Sequence, residues 1–152
     1  MSKSFVRLDT FFSNDKKHIF SRCQFVFPST TIGDYNQTTL TNTLIVAFED
    51  LTTRLNKYHL KKCTLKNINT ELPLLISHNI RNSCLPIGVE SFDGDQAAFF
   101  LIEHEEKIAL KPWNSNSITL ENLSLLKFKY VIIKTTEKLK KQKTFLTNHS
   151  ST

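Results

Sequence analysis

Residues 42–61 read NTLIVAFEDLTTRLNKYHLK, and within them Leu44, Phe48, Leu51, Leu55 and Tyr58 recur at spacings of four, three, four and three. That period sets all five on one side of an α-helix. Leu40 and Ala47 widen the apolar stripe, while Glu49, Asp50, Thr53, Arg54, Asn56 and Lys57 fall mostly on the other side. Thr41 and Asn42 are residues that cap helix starts. Acidic groups lie in the first half and Lys57, Lys61 and Lys62 at the end, an order that complements the helix dipole. The stretch predicts an amphipathic helix laid on a core, and the flanking sequence must supply that core.

The flanks have mainly strand character. In residues 18–27, Ile19, Cys23, Phe25 and Phe27 alternate with Arg22 and Gln24 until Pro28 ends the pattern. Residues 29–37, with Gly33, Asp34 and Asn36, read as a loop. Residues 71–79 fit either a short second helix or a buried strand, and Pro73 in a first helical turn favours the helix. Residues 86–92 and 96–103 flank Asp93-Gly94-Asp95, a hairpin signal. Ala98, Phe100 and Ile102 share one face of the later run and Ala97, Phe99 and Leu101 the other, as in a central strand apolar on both sides. Ile108 to Leu110 adds another strand, and residues 128–134 a last one.

The order predicts an α+β domain over residues 18–134, one amphipathic helix packed on an antiparallel sheet of about five strands. An N-terminal tail, 1–17, and a basic C-terminal tail, 135–152, flank it. A partly closed barrel of the oligonucleotide-binding kind, a sheet with a carpet helix and a pleckstrin-like sheet share this order, and patterning does not separate them.

Composition narrows the class. A chain of 152 residues, 39% apolar with twelve Phe and only three Gly and four Pro, is foldable rather than low-complexity. Its formal charge of +6 attracts polyanions without making it a polycation. Cys23, Cys63 and Cys84 are widely spaced with no Cys-x-x-Cys pair, which suits a reducing compartment. No apolar run approaches a membrane span, and the N-terminal acidic residues do not suit a mitochondrial presequence, so the expected location is the nucleus, with the cytoplasm as the alternative.

No nucleophile with a neighbouring base, carboxylate pair or glycine-rich phosphate loop stands out, so the expectation is a protein that is not an enzyme and needs no cofactor. Asp93 and Asp95 read as turn residues, and Glu103, His104, Glu105 and Glu106 as a solvated tip. His18, His59, His78, His104 and His149 show no ligand spacing, and no metal is expected. Arg54, Lys57, Lys61, Lys62 and Lys66 cluster around the helix end and are the candidates for phosphate contact. Exposed aromatics beside such a cluster would favour single strands, with Trp113 and Tyr130 as candidates.

The sharpest local motif is Phe5-Val6-Arg7-Leu8-Asp9-Thr10-Phe11-Phe12. It resembles the PIP box by which replication and repair proteins dock on the sliding clamp. Leu8, Phe11 and Phe12 match that pattern, and Phe5 stands where the motif has Gln. The resemblance implies that one 3₁₀ turn gathers Leu8, Phe11 and Phe12 into a plug for a hydrophobic pocket. The competing reading packs the same side chains on the protein's own sheet. Together these features predict a small non-catalytic subunit or adaptor of a nuclear, chromosome-associated complex with protein partners, possessing no membrane segment. The alternative is a nucleic-acid-binding domain using the sheet and the basic helix end.

Overall fold

A computed structural model describes residues 4–149. It is an α+β fold with, among the described residues, three α-helices and two four-stranded sheets, neither closed into a barrel. The first sheet comprises β1 (Val6–Phe12), β2 (Ile19–Val26), β3 (Thr31–Ile32) and β4 (Thr39–Leu40). β1 pairs antiparallel along one edge of β2, and the two short strands share its other edge, with Phe25 opposite Ile32 and Phe20 opposite Leu40. α1 (Thr41–Asn56) follows directly. The second sheet runs β5 (Lys61–Lys62), β6 (Gln96–Ile102), β7 (Glu105–Lys111), β8 (Thr119–Asn122), with β5 parallel to β6 and the others antiparallel. α2 (Ile68–His78) lies between β5 and β6 in sequence, and α3 (Leu125–Asn148) closes the described chain.

The main core lies where the inner faces of both sheets meet α1 and α3. β2 contributes Cys23 and Phe25, α1 contributes Leu44, Phe48, Leu51 and Leu55, β6 and β7 contribute Phe99, Ile108 and Leu110, and α3 contributes Phe128, Ile132 and Leu139. Phe128 joins the two sheets: its ring stacks on Phe5 at 5.1 Å and meets Phe99 edge-on at 5.2 Å. The other face of β6, with Ala98, Phe100 and Ile102, is covered by Ile68, Leu72 and Ile76 of α2. β6 is therefore a central strand buried on both faces, as its sequence predicts.

The described parts of both expected tails belong to the fold, residues 1–3 and 150–152 lying outside the described residues. Residues 6–12 are β1, in full register with β2. Residues 125–148 form one helix, so the expected strand 128–134 and the basic tail beyond it are a single element. Its buried positions Phe128, Val131, Ile132, Thr135, Thr136 and Leu139 follow helical spacing, and the Thr135 and Thr136 hydroxyls each donate back one turn, to the carbonyls of Val131 and Ile132 at 2.8 Å.

The expected hairpin across Asp93-Gly94-Asp95 is also replaced. Residues 86–92 form a loop and a short 3₁₀ turn whose Val89 and Phe92 fill the core. Gly94 still turns the chain, at φ +82°. The hairpin that does form joins β6 to β7 at the expected solvated tip, through Glu103 and His104, both at positive φ, 52° and 66°. That is the backbone of a type I′ turn, made without Asn or Gly. α2 forms as the helical alternative had it, but begins earlier, so Pro73 sits inside it rather than in its first turn.

Candidate docking groove

α1 starts at Thr41 without a side-chain cap, because the residue at its N-cap is Leu40, which has no acceptor, and Thr41 is already helical, its hydroxyl paired with Ser21 at 2.8 Å in the core. Its outward face carries Val46, 64% exposed, over the buried Ala47. Opposite this face runs the connection from α2 to β6. Asn79 starts it by accepting the Arg81 backbone N–H at 3.0 Å, and a 3₁₀ turn over Ile80–Asn82 leaves Ile80 56% exposed. Val46, Ala47, Ile80 and Ile87 together line an open groove of about 570 Å³, with Asn42 and Thr43 beside them and Asp50 and Arg81 also on its walls. A second depression, lined by Ile80, Pro86, Ile87 and Val89, continues it past the loop.

The groove is held in shape by Arg54. Its Nε donates to Asp50 Oδ2 at 2.9 Å, its Nη2 donates to the Leu85 carbonyl at 2.8 Å, and its Nη1 donates to the Ser83 carbonyl. Burial pulls the guanidinium below its ordinary value, while the Asp50 hydrogen bond and charge work to keep it protonated. Asp50 also reaches the exposed Arg81 at 3.4 Å. Next to Arg54, Cys84 is fully buried and its thiol is pushed up to about 12 by desolvation. Tyr58, expected as the last member of the helical stripe, lies beyond the end of α1. Its hydroxyl accepts the Phe99 N–H at 3.0 Å, tying the helix exit to β6.

The basic cluster expected from sequence is divided. Arg54 is buried at 7% exposure, so its donors are spent inside the protein. Lys57, Lys61, Lys62 and Lys66 are exposed, and Lys61 is paired with Glu71 at 2.5 Å. The two aromatics singled out are both exposed, Trp113 on the loop after β7 and Tyr130 on α3 rather than on a sheet.

Leu8, Phe11 and Phe12 do not converge. The β1–β2 register places Leu8 opposite Cys23 and Phe12 opposite Ile19 on the core side, while Phe11 pairs with Phe20 on the other face. A 3₁₀ plug would require β1 to leave its sheet, and Phe5 holds the strand's start in the core, stacked on Phe27 at 5.1 Å.

Asp95 has a structural task. Its carboxylate accepts the Gly33 and Trp113 backbone N–H groups, each at 2.8 Å, and burial raises its pKa against those bonds. Among the described residues, no group of three or more His, Cys, Asp or Glu stands close enough to hold a metal ion, and no helix is long and apolar enough to cross a membrane. Compared with known proteins, the chain matches no family model, no curated protein and no solved structure.

Proposed function

We propose that this protein is a small subunit or adaptor of a hetero-complex, engaging its partner through the groove between α1 and the 80–89 loop. The observation that carries this reading is the exposure of Val46 and Ile80 on facing walls of one apolar groove. Large aliphatic side chains that frame a concavity are better explained by a partner's side chains than by water. The partner segment presents two or three apolar residues to Val46, Ile80 and Ile87, with an acidic residue in reach of Arg81. The groove's open form suits a protein segment better than a small molecule, whose sites are enclosed and furnished with convergent polar groups. The net positive charge supports placing the complex in the nucleus, associated with chromosomes. The clamp-docking reading has no part in this proposal, because Leu8, Phe11 and Phe12 lie on opposite faces of a paired strand.

The test compares tagged full-length chain with a Val46→Asp, Ile80→Asp variant in nuclear extract, with Lys66→Glu as control. A stoichiometric partner that co-purifies with the wild type and the control, and is lost from the double variant, is the expected result. Both substitutions are at exposed positions, so an unchanged melting temperature should accompany that loss. Equal recovery of every partner by the double variant would remove the groove from the interface.

A further inference from the structure

The charge of this protein is concentrated on one element. α3 carries seven of the twenty Lys and Arg residues and one of the fourteen acidic residues. The rest of the chain is balanced, thirteen against thirteen, so the whole formal charge of +6 resides on α3. Its exposed positions are equally ordered. Lys127, Tyr130, Lys134, Lys138, Lys141 and Phe145 follow one another at spacings of three, four, four, three and four, and all six are exposed. They form a single stripe along the outer side of the helix, roughly 27 Å long at 1.5 Å per residue. Lys134 lies over the Tyr130 ring, its Nζ 5.5 Å from the centroid, and the sole acid on α3, Glu137, pairs with Lys134 at 3.4 Å. Lys127, Lys138 and Lys141 have no ion pair among the described residues.

We propose that the outer stripe of α3 binds single-stranded nucleic acid, its four lysines meeting successive phosphates and Tyr130 and Phe145 stacking on bases. Charge complementarity identifies a polyanion. The rings choose among polyanions: Tyr130 is 57% and Phe145 61% exposed on the same line as the lysines, where a paired duplex would offer them no open base face. An anionic membrane is the poorer fit, because an interfacial helix inserts a continuous apolar face, and that face of α3 is occupied by the core through Phe128, Ile132 and Leu139. The inference is independent of the groove, which involves no residue of α3.

The experiment measures binding of the full chain to a fluorescent oligo(dT) of roughly fifteen nucleotides, to a duplex and to phosphatidylserine vesicles, at several salt concentrations. Four phosphate contacts predict a log–log salt slope near −3 for the single strand, about a fiftyfold loss of affinity between 50 and 200 mM salt. Lys134→Gln, Lys138→Gln and Lys141→Gln together should lower the slope to about −1. Tyr130→Ala with Phe145→Ala should weaken the single strand by roughly fivefold or more and leave duplex binding unchanged. All five positions are exposed, and circular dichroism melts of each variant confirm that the fold is kept. Absence of oligonucleotide binding at 50 mM salt would overturn the proposal. So would a triple lysine variant with wild-type affinity, an equal loss for single strand and duplex in the aromatic variant, or binding to vesicles alone.

Discussion

Arg54 shows what a single side chain settles in this molecule. Its guanidinium spans two backbone carbonyls, of Ser83 and Leu85, and a carboxylate, Asp50, so three acceptors depend on one planar donor. Arg54→Ala should destabilise the protein by about 2–3 kcal/mol, since the two carbonyls lose charged donors in a buried setting. Arg54→Lys should recover only part of this, because a single ammonium cannot reproduce the fork. Urea unfolding of both variants measures the difference, and equal stability of all three proteins would show that water replaces the guanidinium without cost. The pair with Asp50 was legible in the sequence as an i, i+4 spacing. That the pair would lie beneath residues 83–85 was not, because the covering segment is almost thirty positions away and carries no charge to announce it. A letter code that puts Arg on the polar side of a wheel therefore sent Arg54 to solvent. Tyr58 was read correctly as turned toward the core, but as a member of the helix; its hydroxyl, paired with β6, is what the apolar spacing could not convey.

At the scale of elements, readable and unreadable stretches differ in how local their determinants are. α1 was legible because its period of apolar residues runs unbroken over four turns. α3 was not, because two of its buried positions are Thr135 and Thr136, whose hydroxyls satisfy themselves on their own helix and so pass for polar surface. With those two masked, Phe128, Tyr130 and Ile132 gave a false alternation. The hairpin read across Asp93-Gly94-Asp95 failed for a related reason, while the turn between β6 and β7 falls at the expected solvated tip. Asp93-Gly94 has the preferred turn residues, whereas the turn is made by Glu103 and His104, held at positive φ by the paired strands on either side. Residues with a side chain beyond Cβ adopt that region at a cost. Glu103→Asn with His104→Gly should therefore stabilise the protein by about 1 kcal/mol, seen as a higher urea midpoint with unchanged slope. A lower midpoint would mean that the Glu103 or His104 side chain contributes more than its backbone strain removes.

At the scale of the whole molecule, the first and last described elements meet. Phe5, just ahead of β1, stacks on Phe128 of α3, and through Phe128 the first sheet is joined to Phe99 of the second. Contacts of this kind link residues far apart in the chain, so neither the division into two sheets nor the inclusion of both ends was accessible to a reading of local pattern. The division of the core is itself a consequence: β6 is buried on both sides, and one helix could cover only one of them. If α3 is integral, stability must depend on where the chain is cut. A chain ending at Lys141 keeps every fully buried side chain of α3 and should lie within about 1 kcal/mol of the full chain. A chain ending at Lys134 loses Thr135, Thr136 and Leu139, with Leu139 at 0% exposure. Removing a buried leucine alone costs about 2–5 kcal/mol, and here the lost helical turns also uncover the core side of α1. The shorter chain should therefore unfold at a much lower urea concentration, or fail to fold, while the longer one does not. Midpoints for both truncations equal to that of the full chain would make everything after residue 134 a dispensable tail and would separate the fold from the charge that α3 carries.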